Sequence, residues 1–180
     1  HEVGNLRDGR TFGHHADRAE RQLPDTHQAA LIAPLLERGG ADDAVDAVRR
    51  TEVALLDFPL LRSQHEWQHG TLPAGLATAQ ADIAWAQHLV LMFPLWMGDM
   101  PALMKAFLEQ VARPGFAFKP GNEGGPFGAK GLTGRSARVV VTMGMPAAVY
   151  RHYFRAHSVK SLERNILGFV GISPVKETLI

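Results

Sequence analysis

FPLWMGDMPALMKAFLEQV, residues 93–111, carries an apolar segment into Pro94, Trp96 and Gly98 and then restarts at once as an amphipathic pattern. The preceding run, HLVLMFP at 88–94, is continuously apolar, as a strand of a doubly covered parallel sheet is. Beyond the junction Leu103, Met104, Phe107, Leu108 and Val111 recur at helical spacing, which predicts a helix over 101–112. Between strand and helix Pro94 fixes φ and withholds a donor, so the N–H groups of Leu95, Trp96 and Met97 are expected to point outside the sheet. Gly98 lets the chain swing back, and Asp99 is expected to cap the helix that Pro101 begins. A flat apolar wall from Trp96 beside backbone donors suits a planar heteroaromatic ring with polar edge atoms. The plainer reading is a turn whose Trp covers the core.

Outward from this junction, the chain alternates strands and helices. Residues 1–25 are polar and without period and read as an irregular segment, leaving 26–180 as one domain. Ala29, Leu31, Ile32, Leu35 and Leu36 trace a helical face despite Pro34, ending at Gly39-Gly40. A short strand is expected at 48–55, a helix at 76–87, a loop at 121–128, a second buried strand at 137–144, a helix containing 159–167 and a closing strand in PVKETLI. Strands alternating with helices imply βαβ units, hence an α/β fold with an open parallel sheet between helices in three layers. In such sheets ligands bind outside the carboxyl ends of the strands at the topological switch point.

Composition narrows the function. The chain has 180 residues, 46% of them hydrophobic, enough for one core. Its 19 basic and 18 acidic residues give a net charge of +1, which argues against nucleic acid and leaves small molecules as the expected partners. The absence of Cys removes disulfides and thiolate catalysis and fits a cytoplasmic setting. No apolar run reaches membrane-span length and no charged-then-apolar leader is legible, so membrane insertion is not expected.

The second strand end, TMGMPAAVYRHYFRAH at 142–157, has Thr142 and Gly144 where a backbone can approach a ligand, with Tyr150, His152, Tyr153 and His157 just beyond. A Tyr with a His can donate to a developing anion; the same residues equally suit a surface helix with aromatics turned inward. HEWQH at 65–69 matches the zinc-peptidase pattern, which needs a stable helix and a third ligand. With DFPLL before it and Gly70, Leu72 and Pro73 after it, there is room for about one helical turn, so no metal site is expected.

FPLWMGDMPALMKAFLEQV, GFAF at 115–118, GLTGRSARVVVTMG at 131–144 and GFVGISPVKETLI at 168–180 together resemble the flavodoxin-like NAD(P)H:quinone oxidoreductases, in the branch of DT-diaphorase and the bacterial potassium-efflux ancillary proteins. The resemblance implies a flavin, FAD or FMN, seated on Pro94, Leu95, Trp96 and Met97 and on Thr142, Met143, Gly144 and Met145. It also implies that Tyr150 and His157 steady the reduced flavin, with NAD(P)H as co-substrate, a quinone as acceptor and a homodimer as the assembly. A regulatory subunit of a membrane transporter is the alternative it carries. The family's first strand and phosphate loop are not legible before residue 25, DGRTFGHHADR at 8–18 being the nearest candidate, nor is a helix after the last strand.

Overall fold

The computed structural model describes residues 30–36, 46–119 and 128–180. In chain order the strands are β1 (Ala30–Leu36), β2 (Asp46–Glu52), β3 (His88–Pro94), β4 (Phe118–Lys119), β5 (Ala129–Lys130), β6 (Ser136–Thr142) and β7 (Val175–Leu179). The helices are α1 (Gln64–His69), α2 (Ala77–Trp85), α3 (Ala102–Val111), α4 (Ala147–His152) and α5 (His157–Ser161), which continues through a π-helical stretch, Leu162–Leu167, into a last turn, Gly168–Val170. The irregular segment expected at 1–25, the candidate phosphate loop at 8–18 and most of the glycine-rich loop at 121–128 lie outside the described residues.

The main sheet has five strands in the order β2-β1-β3-β6-β7, and β4 pairs with β5 apart from it. Counting only the five, this is the order 2-1-3-4-5, which reverses direction beside β3 and places the switch point there. β3 and β6 are parallel in full register, His88 beside Ser136 and Pro94 beside Thr142, and β6 pairs in parallel with β7. The open parallel sheet expected from the alternation is thus present from β3 to β7. β1 runs antiparallel to both β2 and β3, so the sheet is mixed at that strand.

Residues 30–36 correct the expectation of a helix there. ALIAPLL satisfies a helical spacing only because nearly every position is apolar, and a continuous apolar run of seven suits a buried strand as well. Pro34, which a helix interior tolerates badly, pairs with Val48 beyond the β1–β3 ladder, which covers only Ala30 to Ile32.

One sheet face carries the core. Leu89, Leu91 and Phe93 of β3 and Ala137, Val139 and Val141 of β6 alternate inward and are almost wholly buried. α3 lays Met104, Phe107, Leu108 and Val111 into the same cluster, with Ile83 of α2 and Val159, Leu162, Leu167 and Val170 of the α5 helix. Each fully buried side chain of this size contributes about 1.5–3 kcal/mol of transfer free energy. The α3 stripe therefore fixes the helix close behind β3, and the intervening turn has to be short.

Candidate functional site

The turn after β3 is closed at both ends by backbone bonds. Leu95 N–H donates to Thr142 O at 2.8 Å, while Trp96 N–H donates to Asp99 O at 2.8 Å and Asp99 N–H returns to Trp96 O at 2.9 Å. Inside that reciprocal pair Met97 and Gly98 both have positive φ, 51° and 84°, the mark of a type I′ turn. Glycine takes this conformation freely; a Met pays about 1 kcal/mol or more for it. The turn stands away from the sheet: Trp96 is 59% exposed and Met97 fully so.

This geometry corrects two expectations. The Leu95 and Trp96 N–H groups are not available to a ligand, because the strand end and the turn consume them. Asp99 does not cap α3; its Oδ1 accepts from Met100 N–H at 2.7 Å, and the N-cap position is Pro101 without a side-chain bond. Among the described residues Met97, Gly144 and Met145 have N–H groups without a hydrogen-bond partner.

The three parallel strands are laced just beyond their carboxyl ends. Met143 N–H donates to Ile180 O at 2.8 Å, and Ile180 N–H donates to Val141 O at 2.9 Å. The result is a cleft of about 550 Å³ lined by Pro94, Leu95, Trp96, Thr142, Met143, Gly144 and Ile180. Six of the eight residues expected to seat a cofactor line it together, and Met97 and Met145 do not. Ile180 was missed in the sequence; its signal is the register of β7, one residue past whose end falls beside Thr142. No charged side chain lines the cleft among the described residues, so it suits a flat, largely apolar ligand held edgewise by backbone groups. A Cβ added to Gly144 would meet nothing within 4 Å, so the chain offers open space along that wall.

Tyr150 and His157 are not among the lining residues. Tyr150 is 2% exposed, and its hydroxyl is hydrogen-bonded to Ser158 Oγ at 2.5 Å. His157 is exposed at the start of α5. The structure brings Tyr150 to the root of the 153–156 loop, since Ala156 N–H donates to Tyr150 O at 3.1 Å.

HEWQH forms α1, a helix of six residues with both imidazoles exposed and their rings 4.8 Å apart. Ser63 Oγ caps it through Glu66 N–H at 3.1 Å, and the buried Arg113 holds its far end by donating to Glu66 O at 2.8 Å. Glu66 Oε2 accepts from Arg62 N–H at 3.1 Å. Among the described residues no third metal-ligating side chain joins the two imidazoles.

A sheet of order 2-1-3-4-5 with an apolar cleft outside its parallel carboxyl ends defines a flavodoxin-like α/β protein. The chain belongs to that family: the flavodoxin-like fold matches residues 19–180. It is 35% identical over 98 residues to FMN-dependent NADH:quinone oxidoreductase 1 of Jannaschia sp. (strain CCS1), covering 54% of this chain and 48% of that protein. It is 26% identical over 149 residues to an NAD(P)H oxidoreductase of Haemophilus influenzae, covering 81% and 72%. The solved NAD(P)H:quinone oxidoreductase from Methanothermobacter marburgensis has the same fold, with a TM-score of 0.52 at 23% identity over 68% of this chain and 62% of that one. The chain spans about half the length of the first of these relatives.

Proposed function

We propose that the chain is a flavin-dependent NAD(P)H:quinone oxidoreductase of the cytoplasm, its domain spanning residues 26–180. The carrying observation is the cleft at the carboxyl ends of β3 and β6, where an exposed Trp96 faces open backbone at Gly144 with no charged side chain between. Its volume falls within the usual range for ligand sites, about 300–1,000 Å³. Its apolar walls fit an isoalloxazine ring, of FMN or of FAD.

In this reading Pro94, Leu95 and Trp96 form one wall and Thr142, Met143 and Gly144 the other, with Met97 and Met145 on the flanks of the two turns. The free N–H groups of Met97, Gly144 and Met145 are the donors available to the ring edge. Pro94, Leu95, Trp96, Thr142, Met143 and Gly144 would hold the flavin, which would supply two-electron chemistry: a hydride from NAD(P)H would be relayed as hydride to a quinone, and one proton from water would complete the quinol. The protein exclude water from the ring face with Trp96 and the strand ends, and backbone donors stabilise negative charge arriving at the ring edge. Tyr150 acts here as a positioning residue, through the loop it anchors, and His157 lies at the far end of that loop. Assembly as a homodimer belongs to the same proposal.

Steady-state NAD(P)H oxidation by flavin-loaded protein, with and without a water-soluble quinone, tests the reading. Quinone-dependent turnover is expected. A flavin-loaded protein with no quinone-dependent oxidation of either nucleotide would favour the regulatory role instead.

A further inference from the structure

The balance of +1 over the whole chain conceals a local excess beside the cleft. Residues 146–162 contain Arg151, Arg155, Lys160, His152 and His157 and no acidic residue. Arg151 is paired with Glu177 at 2.9 Å, which ties α4 to the edge strand β7 close to Ile180 of the cleft. The side chains of Arg155 and Lys160 have no hydrogen bond or ion pair among the described residues.

The same segment exposes apolar side chains. Val149 is 43%, Tyr153 79% and Phe154 44% exposed, with the two rings edge to face at 4.9 Å. The backbone that presents them is constrained: Arg155 and Ala156 both adopt left-handed φ, 55° and 48°, with Tyr150 bonded beneath them through its carbonyl and its hydroxyl. β3 and β6 are parallel, so the turn bearing Trp96 and Met97 and the loop leading to Tyr153 and Phe154 leave the same end of the sheet. The connections after β3 and β6 thus each present exposed apolar side chains, Trp96 and Met97 on one and Tyr153 and Phe154 on the other, the second set among cations.

We propose that this rim docks on the surface of an anionic lipid bilayer, so that a lipid-soluble quinone enters the cleft from the membrane. Aromatic side chains settle at the headgroup level, and Arg and Lys add attraction to anionic lipid. A protein partner would have to supply acidic groups and an apolar pocket at matching positions; a bilayer offers both everywhere. No helix among the described residues is long and apolar enough to cross a membrane. The docking stands on the surface, whereas the identity of the quinone rests on the function proposed above.

The test is flotation of the full chain with vesicles of phosphatidylcholine alone or enriched in phosphatidylglycerol, at low and raised salt. Binding is expected on the anionic vesicles and to weaken with salt. The double variant Tyr153→Ser/Phe154→Ser should bind about tenfold more weakly, as loss of interfacial aromatics predicts. Arg155→Asn, which keeps a residue suited to left-handed φ, and Lys160→Gln should each bind about fivefold more weakly. Lys160→Gln, which lies outside the 153–156 loop, should reduce a short-chain, water-soluble quinone at the wild-type rate and a long-chain quinone in anionic vesicles more slowly. Equal binding to both kinds of vesicle, or variants that float like wild type, would overturn the proposal. So would variants that alter the oligomeric state in sedimentation yet leave flotation unchanged, since the rim would then cover a second copy. A wild type that floats but reduces no quinone would leave the docking standing and remove the enzymatic reading.

Discussion

Tyr150 shows how far one residue's chemistry depends on where its neighbours place it. In the sequence it stands eight residues before Ser158, and nothing in that spacing says that the two hydroxyls meet in the core. The bond exists because Arg155 and Ala156 turn left-handed and bring the start of α5 back beneath α4. Tyr150→Phe leaves the buried Ser158 hydroxyl without its partner, at a cost of about 1–2 kcal/mol measurable by urea denaturation. If the anchored loop also helps hold the flavin ready for reduction, stopped-flow bleaching by NAD(P)H slows roughly tenfold, about 1.4 kcal/mol. A loss of stability with an unchanged bleaching rate would confine Tyr150 to packing.

Elements whose local pattern and tertiary setting agree were legible. β3 and β6 are apolar over their buried positions, and α3 combines helical spacing with Pro101 at its start, so local preference and packing point the same way. β1 was not legible because a seven-residue apolar run fits two periods at once, and the sheet decides between them. The free amides expected after Pro94 failed for a related reason: only the parallel register reveals that Thr142 O stands ready for Leu95 N–H.

The outward face of that β3–β6 ladder carries a pH dependence. His88 Nδ1 lies 2.7 Å from Ser136 Oγ, and burial, followed by the nearby charges of Arg138 and Lys176, lowers its pKa below 6.5. The unfolded chain therefore binds a proton at this residue before the folded one does. The contribution is fully present above about pH 6.5 and is lost as the pH falls through the folded value. Urea midpoints should decrease between neutral and mildly acidic pH, and His88→Gln should flatten that decrease. An unaltered slope in His88→Gln would place the sensitivity elsewhere.

At the scale of the molecule, the position of the cleft follows from topology, and its contents follow from the two turns that topology brings together. The order 2-1-3-4-5 sets the switch point beside β3, and the parallel pairing of β3, β6 and β7 aligns Trp96, Gly144 and Ile180 at one end. Trp96 and Gly144 each stand out in the sequence as the unusual residue at the end of an apolar run, and both line the cleft. Gly144 gives the most direct test. A side chain there meets no protein atom within 4 Å and does not require left-handed φ, so Gly144→Val should fold with an unchanged urea midpoint while its methyl groups stand in the cleft. Titration of oxidised FMN and FAD, followed by flavin fluorescence, should show tight binding to the wild type. Trp96→Ala should weaken it about fivefold, for loss of about 1 kcal/mol of ring stacking, and Gly144→Val should weaken it by far more. Undiminished flavin affinity in a folded Gly144→Val protein would contradict the assignment of this cleft as the flavin seat.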